Sequence, residues 1–200
     1  MRPSRLETRT SNDHKLFYLA AAGYSTAAEP SHAASGALGL IVLIASGRRF
    51  QVLGKSGLEP IGTWGKPPPD SAITVAQLGP NEAMGWIVTW GAAGMGGAVV
   101  EGRTYYGNIG GQIVNLGTFQ TSYDQPADDR AEIDVTTSIR PLAQTSDRFY
   151  PLQIHVSGTA AGLAIDRSFK VSTGASDRYA ISKELSDDMI GCPVGCENIK

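Results

Sequence analysis

The chain reads as all-β, an antiparallel sandwich or barrel of about ten strands with a short helix near the C-terminus. Three observations carry that reading. Glycine and proline, 24 and 11 of the 200 residues, cut the chain into apolar runs too short for helices and well sized for strands. Glycine stands above the about 7% of an average chain, and its excess falls between β-branched and aromatic segments rather than in one low-complexity block. In the last third, side chains alternate in character. Leu152, Ile154 and Val156 fall on one strand face against Gln153, His155 and Ser157, and Ile133, Val135 and Ile139 oppose Asp134, Thr136 and Ser138.

The elements follow in order. Residues 1–14 are polar, with three arginines and no apolar period, which predicts a flexible arm. Strands are expected at 15–22, 37–45, 49–53, 72–78, 86–90, 98–106, 112–121, 132–140, 149–157 and 163–171, with a short one at 179–181, all within a single all-β domain over 15–181. Residues 40–44 are continuously apolar, the pattern of a strand covered on both faces. Gly47-Arg48, residues 108–111 and residues 158–162 are short enough to be hairpin turns, which favours antiparallel neighbours. Gly65-Lys66-Pro67-Pro68-Pro69-Asp70 cannot continue a ladder, because three prolines supply no N–H donors, and it is expected to be an extended connector. Residues 124–130 are acidic and interrupted by Pro126, as in an exposed loop. Residues 182–200 form a tail with a helix at 183–190 and then Cys192 and Cys196.

Composition narrows the function classes. The chain is 42% hydrophobic, enough to bury a sizeable core. Seventeen basic and nineteen acidic residues leave a net charge of −2, so no strong field draws the molecule to nucleic acid or anionic lipid. No window approaches the roughly 20 apolar residues of a membrane-spanning helix. Lys15 followed by Leu16-Phe17-Tyr18-Leu19-Ala20-Ala21-Ala22, with Ser25-Thr26-Ala27 beyond, has the outline of a secretory leader, but the run is short and broken at Gly23, as in a strand. The compartment is therefore periplasmic or extracellular if a leader precedes residue 1, and cytoplasmic otherwise.

The chemistry-bearing motifs are few. Trp86-Ile87-Val88-Thr89-Trp90 followed by Gly91-Ala92-Ala93-Gly94-Met95-Gly96-Gly97 imitates the glycine turn of a dinucleotide-binding fold. That turn must open a helix whose N–H groups receive the pyrophosphate, and an acid must follow about 20 positions on. Here a β-branched and aromatic stretch follows, so a glycine-lined hairpin or bulge is expected and no cofactor is assigned. Cys192 and Cys196, three residues apart and with no second pair, make a weak metal motif and can close a small disulfide in an oxidising compartment. No Gly-x-Ser-x-Gly occurs. His155 beside Asp134 or Asp166 has the composition of a base–acid pair, and is expected to be a solvent-facing strand histidine. Arg167 shares the apolar phase of Leu163, Ile165, Phe169 and Val171, so it needs an inward acid such as Glu101 or an edge position. Asp124, Asp128 and Asp129 lack the alternating ligands of a calcium loop and suit a solvated turn.

Gly85-Trp86, the glycines through Gly96-Gly97, Leu116-Gly117, Asp124, Tyr150-Pro151-Leu152, Gly158 and Ile165-Asp166-Arg167 make residues 85–181 similar to a loose group of uncharacterised, exported all-β proteins of Gram-negative bacteria, some thought to be inhibitors or immunity proteins. The resemblance implies a non-catalytic protein that binds another macromolecule outside the cytoplasm. The reading is accordingly a protein that blocks or neutralises a protein partner through loops around 66–70, 91–97 and 124–130. The expected contacts are Trp64, Lys66, Trp90, Met95, Asp124, Asp128 and Asp129. The alternatives are a self-associating structural subunit of a phage or surface assembly, and a carbohydrate-binding module or hydrolase, which needs a concave cleft where Trp and Asp side chains converge.

Overall fold

The computed structural model describes residues 1–11, 14–25, 34–93, 97–126, 132–143 and 147–190. Within them the chain forms β1 (Arg2–Ser11), β2 (His14–Gly23), β3 (Gly36–Ser46), β4 (Arg49–Lys55), β5 (Glu59–Ile61), a 3-10 turn (Asp70–Ala72), β6 (Ile73–Gln77), β7 (Met84–Ala93), β8 (Val99–Ile109), β9 (Gln112–Gln125), β10 (Ile133–Pro141), β11 (Leu152–Ala160), β12 (Leu163–Val171) and α1 (Lys183–Met189). No helix among these is long and apolar enough to cross a membrane.

Two antiparallel meanders, β1–β4 and β6–β12, join into one twelve-stranded, nearly barrel-shaped sheet. The junction is a single parallel bridge, Lys55 to Gln112, between β4 and β9. Three expected turns fall where glycine allows left-handed backbone, at Gly47, at Gly110-Gly111 and at Ala161-Gly162. The long hairpin β8–β9 is the central wall. Tyr105 and Tyr106 are adjacent, so they point to opposite faces of β8, yet both are buried, because each face of the wall carries its own core. Tyr105 joins Leu116, Phe119, Val135, Ile154, Tyr179 and the helix residues Leu185 and Met189. Tyr106 joins Tyr18, Leu38, Leu40, Val42, Trp86 and Val88, where the β2–β3 layer lies over β6–β8. Alternation puts Ile113 of β9 in one core and Leu116 in the other, and the register shift at Leu116 lets it share a core with Phe119.

Three expectations are corrected. Residues 2–11 are not a loose arm but β1, hydrogen-bonded along β2. Its charged residues Arg5, Glu7 and Arg9 sit opposite Ala20, Tyr18 and Leu16, and Glu7 pairs with both arginines; inward charge of this kind protects a sheet edge. The continuously apolar residues of β3 have one face in the core and the other only half-buried. Residues 179–181 hold an isolated bridge, Tyr179 to Thr173, rather than a strand, and the edge strand β5 carries Pro60.

Arg167 meets the second of its two expectations, an edge position, on β12. Its partners are Glu184 and Asp188 on α1, not Glu101, and this ion-pair set fastens the helix to the edge strand β12. Ser182 caps the helix by accepting from the Leu185 N–H. Arg167 Nη1 lies 3.2 Å from Asp188 Oδ2, which accepts no hydrogen bond. Burial raises the Asp188 pKa above its ordinary 3.8, and the Arg167 charge offsets only part of that. A carboxyl that is easier to protonate in the folded state contributes stability below its ordinary value, and that contribution disappears as pH rises through the raised folded value. Asp188→Asn is therefore expected to flatten the pH profile. In urea titrations the wild-type midpoint should fall relative to the variant as pH rises from about 4 towards neutrality.

Candidate functional site

The upper layer stops at β5 and the loop that follows it, and beyond that edge the wall of β7–β9 lies open as a cleft. Its volume is about 370 Å³, and its lining includes Trp64, Lys66, Pro67, Pro68, Pro69, Trp90 and Glu101. Gly62, Thr63 and Trp90 are shared with a neighbouring cleft of about 390 Å³ floored by Thr104, Asn115 and Thr118.

Trp64 reaches the cleft by an uncommon backbone. It has φ 55° and Gly65 has φ 66°, while the Lys66 N–H donates to the Thr63 carbonyl at 2.9 Å, which makes a type I′ turn. Glycine, asparagine and aspartate suit the first central position of such a turn; a bulky L-residue there costs about 1–2 kcal/mol. The turn is anchored at both sides, since the Gly65 N–H donates to Ala34 and the Gly65 carbonyl accepts from Ser25. The indole nevertheless stands 52% exposed.

Trp90 is held in a different way. It pairs across the ladder with Gly102, and the missing side chain there makes room for the indole: a Cβ at residue 102 would lie 2.2 Å from Trp90 Cζ2. Trp90 Nε1 donates to Thr104 Oγ1 at 3.1 Å, Thr104 meets Thr118 at 3.1 Å, and Asn115 Nδ2 donates to Thr118 at 3.2 Å. This row of side chains crosses three strands and orients the ring, and it ends at Asn115 Oδ1, a buried acceptor with no partner. Beneath it Tyr106 stays protonated, its pKa pushed upward by burial and further by Glu59. Gly102→Ala is expected to evict the Trp90 indole, moving tryptophan emission to longer wavelength and costing about 1–3 kcal/mol of stability in denaturant unfolding.

Of the residues singled out in the sequence, Trp64, Lys66 and Trp90 meet in this cleft. Asp124 does not line it; it sits exposed near the end of β9, opposite Val99 and Asp134. Met95, Asp128, Asp129, Cys192 and Cys196 lie outside the described residues. Three segments expected to form binding loops approach one end of the wall: Pro67–Pro69 and Gly91 line the cleft, and Pro126 packs 3.4 Å from where a Cβ on Gly97 would stand. Sequence reasoning missed Glu101 and Thr89 as cleft lining; the proline run lay within an expected binding loop, although none of its prolines was singled out as a contact. The β7–β8 segment is a hairpin, with Ala93 opposite Val99, where a dinucleotide site would require a helix.

His155 lies between Asp166, at 3.5 Å from Nε2, and Ser168, at 3.1 Å from Nδ1. The three project from the open face of β11–β12, and Asp166 is 82% exposed, so the set is a solvent-facing row on a sheet rather than a reactive centre enclosed by a pocket. Among the described residues no group of three or more His, Cys, Asp or Glu side chains is placed to hold a metal ion.

Compared with protein-family models, with curated protein sequences and with solved structures, the chain matches none.

Proposed function

We propose that this chain is a non-catalytic binding protein that blocks or neutralises a protein partner, and that the partner inserts a segment into the Trp64–Trp90 cleft. The observation that carries the reading is the half-exposed Trp64, held at a conformational cost at the tip of an anchored turn. A bulky residue held in left-handed backbone is strained, and such strain gathers at ligand clamps. Two indoles and three successive prolines give the cleft rigid apolar walls, and Lys66 and Glu101 place one charge of each sign on its lining. That composition matches the anchor pockets of protein interfaces, where tryptophan dominates the binding energy and rigid surfaces lose little entropy on association.

A second reading, carbohydrate binding, draws on the same pair of indoles beside the Glu101 carboxylate. It is the weaker of the two. Lys66 and Glu101 are the charged residues in a lining otherwise dominated by proline, tryptophan and small side chains, whereas sugar hydroxyls call for a denser set of polar partners. Affinity capture from the native host with wild type and Trp64→Gly in parallel separates the readings. A protein retained by wild type and lost with the variant supports partner blocking; equal retention by both, or competition by soluble oligosaccharides, overturns it.

A further inference from the structure

The outward face of β1–β4 is apolar over most of its extent, with Thr8 and Thr10 along the β1 edge. Cross-strand partners share a face, so the pairs Leu6 with Leu19, Phe17 with Leu43, Leu19 with Ile41, Leu43 with Val52 and Ala45 with Phe50 all stand on the side away from the core. Phe17 and Phe50 meet edge to face at 5.2 Å, and Met1 and Leu58 close over Gly39 on the same side. Met1, Leu6, Phe50, Val52 and Leu58 are each 55–66% exposed. Together they present on the order of 500 Å² of apolar surface, at the upper end of what monomers carry and approaching the ~800 Å² per partner of a standard interface. Charge is confined to the corners. Lys15 at the start of β2 and Lys55 at the end of β4 are the ionic residues of this face among those described.

We propose that this face is covered by the same face of a second copy of the chain, the two β1–β4 sheets packing about 10 Å apart across a two-fold axis. The sequence of β3 is an independent reason. Residues 40–44 carry the unbroken apolar pattern of a strand buried on both sides, and one subunit covers only the side of Leu40 and Val42. A flat patch with an apolar centre and ionic corners is self-complementary under a two-fold, with both lysines left at the rim in contact with water. An anionic lipid surface would call for basic residues spread around the patch, and the first and last turns of contact offer only these two corners. The inference is independent of the Trp64–Trp90 cleft, which opens at the far edge of β5.

Sedimentation velocity on wild type and on the double variant Phe50→Glu, Val52→Glu is the test, with far-UV circular dichroism confirming the fold. Both side chains are more than half exposed, so the variant should fold. The expected result is a wild-type dimer at micromolar concentration and a folded, monomeric variant. If the double variant loses its dichroism, Leu58→Glu, in the loop between β4 and β5, takes its place with the same expected outcome. Wild type that stays monomeric, a variant that remains dimeric, or monomeric wild type that floats with vesicles of anionic lipid would each overturn the proposal.

Discussion

Replacing Trp64 by glycine is expected to change stability by no more than about 1 kcal/mol while weakening capture of its partner about 30-fold or more, which corresponds to about 2 kcal/mol. The two effects have separate causes. Glycine adopts φ 55° without the Cβ clash that tryptophan suffers, so the folded state is relieved of about 1 kcal/mol or more, part of which the freer unfolded chain takes back. Against that relief the indole gives up the half of its surface that is covered, worth about 2 kcal/mol. A partner that inserts between Trp64 and Trp90, however, loses one wall of its pocket. Thermal melts and titration of the captured partner measure the two effects independently. A variant that melts several degrees below wild type would place Trp64 in the packing rather than in the binding surface.

Trp86→Ala is expected to cost about 3–5 kcal/mol, a fall of roughly 10 °C in melting temperature. Trp86 is fully buried, lies between Val75 and Tyr106 in the ladder, and meets Tyr18 of the overlying layer at 5.5 Å and 64°. It is thus the largest side chain joining the β1–β4 layer to the β6–β8 layer. Truncation leaves a cavity that two hydrogen-bonded layers of the sheet cannot collapse to fill. Trp86→Phe should cost far less, no more than about 2 kcal/mol, because the indole Nε1 is buried without a hydrogen-bond partner and its removal deletes an unmet donor along with some packing. Guanidinium unfolding of the two variants tests the contrast; equal losses would show that the indole itself, and not the ring volume, sets the stability at this position.

The strands with alternating or β-branched patterns were legible to within a few residues, and Leu163–Val171 matches its expected bounds. Those patterns record burial, and burial is what side chains encode. β1 escaped because its stability comes from main-chain bonds to β2, while its side chains obey the requirements of an edge and carry charge. β5 escaped because it is three residues long and includes Pro60. The candidate site was legible one residue at a time. Trp64 and Lys66 stood out beside a proline run and Trp90 beside a glycine run, but their meeting depends on where the β3–β5 layer ends over β7, which no local pattern records. Gly102, inside β8, has no local role that its neighbours reveal; in the sheet it is the space that Trp90 fills.

Amino-acid order alone dictated an antiparallel β architecture, its hairpin turns and the capped helix at Lys183–Met189, since period, turn chemistry and capping act over a few neighbouring residues. Three-dimensional packing settled the rest: which acids neutralise Arg167, that β8–β9 divides two cores, which strand faces stay in water, and that two distant tryptophans share one cleft. Those outcomes depend on contacts between residues far apart in the chain, and they exist only once the layers have closed on one another.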